Sequence, residues 1–328
     1  MCLNRRTPVD LKQQPLAGFL VADTRPTARH PSLADVEYEP IWGVRLMRAR
    51  AKMFDEAGFS LDGCASQDLG FVWAANANAI PVAMWVLLHV LLSQNLPERV
   101  MGEGAECFDK TKGLFDLSAL CSKPLLNGVY LEALRYCVAT SSARNPVADD
   151  STFCGWKIPR DALMLSIAWF GGRDAKFWNT GRTLPNGKMD HPVDTFWAER
   201  FLEYPDDPAS GPVRKPNDTI YRSAPKKSER HAQQDRTAKA IGHSPALQGY
   251  FYPYGGGSRI CPGRHLAKQE ILVAVAIMLD EFEIELIDPV LAKKARPDPK
   301  MFPTGAIAPD RKLLVRIRRR RRGEVKAE

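Results

Sequence analysis

At 328 residues, with 45% hydrophobic and 26% charged residues, the chain is long enough for one large or two ordinary domains of about 100–200 residues each. Its composition excludes wholesale disorder. The formal charge of +8 from 46 basic and 38 acidic residues is uneven: Arg316, Arg318, Arg319, Arg320, Arg321 and Arg322 crowd near the C-terminus without interleaved aromatics, a pattern that argues against a nucleic-acid partner and reads as a solvated tail beyond the last strand.

Residues 1–45 are rich in Pro, Arg and Asp with little periodicity and are expected to be irregular with room for short helices. They contain no apolar run of signal-peptide or membrane-span length. An amphipathic pattern from Gly43 to Phe59 predicts a helix, followed by a turn at Leu61-Asp62-Gly63. Ala65 to Asn95 reads as one long helix with apolar residues all round, including Phe71, Trp73, Val82, Trp85, Leu88 and Leu92, which predicts a central position. Pro81 inside it removes a hydrogen bond to the preceding turn, so the helix should loosen around Ala77. Its most apolar stretch, Ile80 to Leu92, falls short of the roughly 20 residues that span a bilayer, and the chain is not expected to cross a membrane.

A shorter helix is predicted from Gly128 to Thr140 and a strand from Leu163 to Phe170. Residues 171–250 then form a long connection rich in Gly, Pro and charge, with one short helix around Val193 to Phe201. Pro262 to Phe282 is a strongly periodic helix with proline where the first turn tolerates it, and strands are expected at Phe282 to Ile287 and Leu313 to Ile317. The seven cysteines include no Cys-x-x-Cys pair, which fits a reducing compartment. No histidines stand at zinc-ligand spacing.

The segment Tyr254-Gly-Gly-Gly-Ser-Arg-Ile-Cys-Pro-Gly-Arg264 carries the chemistry. Its glycines allow a tight turn and close approach of the backbone to a flat ligand. Cys261 precedes a helix, whose N-terminus favours an anion and hence a thiolate. Arg259 could pair with a carboxylate on the same ligand. A glycine-rich loop can also carry an inert cysteine, but four positions at fixed spacing before a strong helix set that alternative aside.

This stretch resembles the haem-binding loop of cytochromes P450. Gly257, Arg259, Cys261 and Gly263 fit the pattern, Ala267 matches the small residue after it, and Tyr254 stands where phenylalanine is usual, so its hydroxyl needs a partner. The resemblance implies a mainly α fold with small β-sheets, the C-terminal haem-binding part of the P450 fold, with Cys261 as ligand to the iron of haem b. Glu132 and Arg135, one helical turn apart, resemble the family's buried Glu-x-x-Arg pair. Arg200, in a segment similar to Phe-x-Pro-Glu-Arg-Phe with Ala198 in place of proline, would complete a triad. Arg144 resembles the arginine that contacts a haem propionate.

In the long helix, Ala77 and Asn78 stand where most members carry an acid and a threonine that relay protons. An amide can hold a water or bond an oxygen ligand but has no pKa useful for acid–base work. The surrounding Trp-Ala-Ala-Asn-Ala-Asn-Ala-Ile-Pro is similar to the branch of sterol 7α- and 12α-hydroxylases and prostacyclin synthase. The resemblance implies a monooxygenase acting on a lipophilic substrate held over Ala74, Ala75 and Asn78, with Ser141 to Val147 and Thr304 to Ile307 lining the pocket. NADPH-cytochrome P450 reductase would be its partner at the cytosolic face of the endoplasmic reticulum, or in the cytoplasm without an anchor. A peroxide isomerase and an inactive haem-binding fragment are the alternatives. The organisation implied is an irregular segment 1–42, a partial P450 domain 43–319 truncated at its N-terminal side, and a basic tail 320–328. Residues 171–189 fit the family poorly and read as an insertion.

Overall fold

The computed structural model describes residues 38–39, 43–149, 151–215, 235, 237–302 and 305–320. Residues 1–37, Thr304 and the arginines beyond Arg320 lie outside them, so the expectations for those positions carry no structural counterpart. The chain divides into two units, Met1–Asn76 and Ala77–Glu328.

In the first unit, β1 (Tyr38–Glu39) pairs antiparallel with β2 (Gly43–Val44) and leads into α1 (Arg45–Glu56) and α2 (Leu61–Ala77). The expected turn at Leu61-Asp62-Gly63 is instead the first turn of α2. Ser60 Oγ accepts the Gly63 N–H at 3.1 Å and Asp62 sits in the first turn, two devices that stabilise a helix N-terminus and keep a glycine helical. Arg50 joins the two helices through Asp68 at 3.1 Å and lies over the rings of Phe54 and Phe71. The all-round burial expected of the long helix fails here: Leu69, Val72 and Trp73 are exposed, and only Ala65 of α2 is buried.

In the second unit, α3 (Ala79–Leu92) begins after a break at Asn78, so the predicted long helix is two. Pro81 has no N–H to offer the Ala77 carbonyl, and the next bond, Val82 N–H to Asn78 O, is long at 3.3 Å. Residues Leu61–Leu92 together are long and apolar enough to cross a membrane by length and composition, a wider run than Ile80 to Leu92. Within α3, however, Trp85, Val86 and Val90 are fully enclosed in the protein core.

That core is built by α3, α4 (Leu96–Ala105), α6 (Pro124–Cys137) and α8 (Arg264–Glu281), joined by the hairpin β3 (Phe108–Asp109) and β4 (Leu114–Phe115) and by α5 (Leu117–Ser122). Every residue of α6 from Leu125 to Cys137 is buried. The free N–H groups at its start are satisfied by a buried carboxylate, Glu103, which accepts from Leu125 and Leu126 at 3.0 and 2.8 Å.

After α6, β5 (Ser141–Arg144) pairs antiparallel with β8 (Met164–Ile167), the excursion between them holding the hairpin β6 (Thr152–Phe153) and β7 (Trp156–Lys157). The expected strand to Phe170 ends early in a short helix, α7 (Ala168–Gly171). The described part of the long connection is turn-rich as expected, with β9 (Leu202–Glu203) pairing with β10 (Lys239–Ala240) and isolated bridges such as Trp178 with Val213.

The helix expected at Val193 to Phe201 is a series of turns. Its backbone groups are used elsewhere: Val193 and Thr195 carbonyls accept from Arg135, and Trp197 N–H donates to Glu132. Residues 171–189 are built into the same region. Trp178 is fully buried and donates its indole N–H to Gly171 O at 2.7 Å, while the Asn179 side chain donates to Ala209 and Gly211 carbonyls.

β11 (Phe282–Leu286), the short α9 (Pro289–Lys293) and β12 (Val315–Arg319) complete the described chain, with Phe282 opposite Arg319 and Leu286 opposite Val315. The basic run therefore does not begin as a tail. Arg316, Arg318 and Arg319 are strand residues, and Arg316 and Arg319 meet Glu285 and Glu281 at 2.6 and 3.3 Å. Glutamates alternating along β11 hold the opposite charges in register.

Candidate functional site

The cysteine loop closes on itself through its backbone. Gly255 and Gly257 take φ of +73° and +67°, a region that penalises any side chain. The Gly255 N–H donates to Tyr252 O, Ile260 N–H to Gly257 O and Cys261 N–H to Tyr254 O, at 2.9, 3.2 and 3.0 Å. Arg264 donates to the Cys261 carbonyl at 3.1 Å, and Ala267 N–H to Gly263 O at 2.8 Å starts the ladder of α8. The loop is thus a tight reversal that ends at the mouth of a helix with the Cys261 side chain exposed.

Side chains tie this loop to its surroundings. Thr140 donates to Pro253 O at 3.0 Å, Ser166 and Tyr252 hydroxyls lie 2.9 Å apart, and the hydroxyls of Tyr130 and Tyr254 lie 2.5 Å apart. β5 runs beside the glycines: a Cβ at Gly255 would stand 3.7 Å from Ser142 Oγ, and one at Gly257 3.8 Å from Arg144 Nη2. Arg144 is exposed and donates to the Ala143 carbonyl; Arg259 is exposed as well.

These residues fit haem. An exposed sulfur leads a helix. A Cβ added at Gly256 of the same loop would meet nothing within 4 Å. A guanidinium reaches in from β5, and Ile260 and Leu266 expose apolar surface nearby in sequence, at 39% and 45%. A flat, largely apolar ligand with carboxylates and a metal that takes sulfur matches that set of donors.

Glu132, Arg135 and Arg200 converge fully buried. Arg135 grips Glu132 with two bonds of 2.8 Å, and Arg200 Nε donates to the same carboxylate at 3.2 Å. The remaining guanidinium N–H groups go to carbonyls: Arg135 to Gly172, Val193 and Thr195, and Arg200 to Asn179, Pro192 and Thr195. Burial pushes the Glu132 carboxyl up, but Arg135 and Arg200 more than reverse this and hold it below the usual carboxylate range.

Asn78 is exposed and stands at the N-cap position of α3 without a side-chain capping bond. Its Oδ1 accepts the Ala306 N–H at 2.9 Å, which fixes the amide orientation and leaves Nδ2 outward as a donor. The expected availability of the amide to an oxygen ligand is therefore restricted to that nitrogen. Ala77 is half-buried. Ala306 and Ile307 are held in turn by α6, through a bridge of Val138 with Ala306 and the Ile307 N–H to Cys137 O at 2.9 Å. Trp85 donates its indole N–H to Ile307 O at 2.7 Å. Of the other expected pocket residues, Ala74 is exposed and Ala75 half-buried within the first unit, and Thr304 lies outside the described residues.

Two residues that matter here escape a sequence reading. Gly305 has φ of +90°, and a Cβ on it would stand 2.3 Å from Asn78 Oδ1. Tyr130 supplies the partner that the Tyr254 hydroxyl needs. The unusual tyrosine was a signal that such a partner exists, but not of where it lies.

Residues 234–309 match the family model described as Cytochrome P450. The chain is similar to the cytochrome P450 monooxygenases fsoE of Humicola fuscoatra, 37% identical over 88% of this chain and 48% of the relative, and efuG of Hormonema carpetanum, 35% identical over 87% and 49%. It is also similar to the human 7-alpha-hydroxycholest-4-en-3-one 12-alpha-hydroxylase, 27% identical over 75% of this chain and 43% of the relative. The chain spans about half the length of the curated relatives it matches. With a thiol presented at the head of α8 and this shared length behind it, the chain belongs to the cytochrome P450 family.

Proposed function

We propose that the protein is a haem-thiolate monooxygenase that hydroxylates a lipophilic substrate, sterol-like or a secondary metabolite, with dioxygen and electrons from NADPH-cytochrome P450 reductase. The observation that carries this reading is the exposed Cys261 side chain at the closed end of its loop, just ahead of α8. The naming of relatives in two fungi as monooxygenases, and of another as a sterol-type hydroxylase, supports the reaction and the substrate class.

Bound haem b supplies the oxygen-activating chemistry. Cys261, as thiolate, would hold the iron and donate electron density to it. Arg144 and Arg259 would pair with the carboxylates of the bound group. The buried Glu132, Arg135 and Arg200 network ties the long connection to α6, and α6 in turn bears the residues that hold the loop and the 305–307 segment. Asn78 contributes a hydrogen-bond donor without a titrating proton, so it can orient a polar ligand atom but cannot itself act as acid or base. For a sterol-like substrate the family's setting is the cytosolic face of the endoplasmic reticulum.

The test is spectroscopic first. The reduced, carbon-monoxide-treated protein should show the red-shifted Soret band of a thiolate ligand, and Cys261→Ala should lose it. Hydroxylated product should then require both NADPH and reductase. Turnover of a peroxide without either would replace this reading with an isomerase.

A further inference from the structure

The Tyr130 and Tyr254 hydroxyls are 2.5 Å apart, at the short end for an O–H···O bond. Tyr130 is 3% exposed and sits two residues before Glu132 on the buried helix α6, so its backbone is held by that helix and the ion pairs of Glu132. Burial pushes both phenols up, and each remains neutral, able to donate to or accept from the other. Tyr254 in turn accepts the Cys261 N–H on its carbonyl. One residue thus links the side-chain bond on α6 to the backbone bond that ends the turn at Cys261.

The loop's other side-chain anchors go elsewhere. Pro253 is held by Thr140 and Tyr252 by Ser166, both upstream of Tyr254 and both on the β5–β8 side. Toward α6 the Tyr254 ring packs against the buried core that includes Tyr130, and a cleft of about 870 Å³, lined among others by Tyr130, Tyr254, Ile260, Arg264 and Lys268, opens beside it. Beside a cleft, a directional bond adds the fixed geometry that one-sided packing leaves open.

The geometry points to Tyr130 as a positioning residue for Cys261: its hydroxyl latches Tyr254 to α6 and so fixes the turn that presents the sulfur. The consequence for iron ligation rests on the proposed haem-thiolate function. The latch itself does not, and it is measurable on the thiol alone. In the family pattern a phenylalanine fills the Tyr254 position, so the latch is a device of this chain, and Tyr254→Phe keeps the ring while removing only the bond.

The experiment is alkylation of the full chain with iodoacetamide, read at the Cys261 peptide by mass spectrometry, with the buried Cys137 as an internal reference for general loosening. Tyr130→Phe and Tyr254→Phe should each raise the Cys261 rate about two- to tenfold, the range of one net hydrogen bond. The double variant should rise no further, because both changes remove the same bond. In the haem-loaded protein the same variants should lose part of the red-shifted carbon-monoxide band. Unchanged Cys261 rates, effects that add, or an equal rise at Cys137 each overturn the latch. Should no variant take up haem, the proposed function falls while the alkylation rates still decide this inference.

Discussion

Asn78 Oδ1 accepts the backbone N–H of Ala306, 228 residues away in sequence, and Gly305 leaves it the room to do so. Ala306 is 4% exposed, so removing the acceptor strands a buried N–H. Asn78→Ala should cost about 1–3 kcal/mol of unfolding free energy. Gly305→Ala should cost about 2–4 kcal/mol, because it adds a clash to a left-handed backbone. Urea unfolding checks both, and the double variant should fall well short of the sum. Additive losses would show that the two residues act apart.

Glu132 is shared by two buried guanidinium groups, so its loss leaves two uncompensated charges. Glu132→Gln should destabilise by about 3–5 kcal/mol. The carboxyl is held below its ordinary range in the folded chain, so the stability it contributes is present above the unfolded value of about 4.3 and is lost as pH falls through the lower folded value. Stability curves of wild type and Glu132→Gln should therefore converge in acid. Parallel curves down to low pH would contradict this.

His89 is half-buried as a residue, but its Nε2 is sealed from solvent and has no hydrogen-bond partner among the described residues. The ring stacks on Phe196 at 4.1 Å and on Trp85 at 5.6 Å, with the edge of Tyr136 at 5.0 Å. Burial lowers its pKa from 6.5 to about 3. The folded chain thus refuses a proton that the unfolded chain takes, and this contribution to stability is complete above pH 6.5 and shrinks as pH falls toward 3. His89→Phe should remove a slope of up to about 1.4 kcal/mol per pH unit in that window, visible as a flatter dependence of the unfolding midpoint on pH.

Arg316 and Glu285 make a short contact of 2.6 Å but are 52% and 64% exposed. Water and salt screen such a pair, so Arg316→Gln should change stability by no more than about 1 kcal/mol, and less in high salt. A larger loss would mean that the strand pairing of β11 and β12 depends on this charge.

Much of the site was written in residue types at fixed spacing. The glycines, Arg259, Cys261 and Gly263 declared a tight cysteine loop before a helix because local backbone chemistry is encoded within a dozen residues. Pro81 likewise placed a break next to Ala77, since a missing N–H acts on its own turn. The Val193 to Phe201 segment misled for the opposite reason: its carbonyls and N–H groups are taken by Glu132 and Arg135, and no local pattern reveals a partner more than 50 residues upstream. The arginines of β12 misled similarly, their glutamate partners lying on β11 (Glu285) and at the end of α8 (Glu281).

By itself the sequence determined the helix before β5, the helix after the cysteine loop, the loop itself and the family resemblance, all of which rest on short-range periodicity and spacing. Only the tertiary structure decided what each polar group is free to do. It spent the oxygen of Asn78 on Ala306, gave the hydroxyl of Tyr254 to Tyr130 and buried Glu132 between two arginines. Hydrogen-bond capacity is fixed by residue type, but its allocation depends on which groups folding brings within about 3 Å.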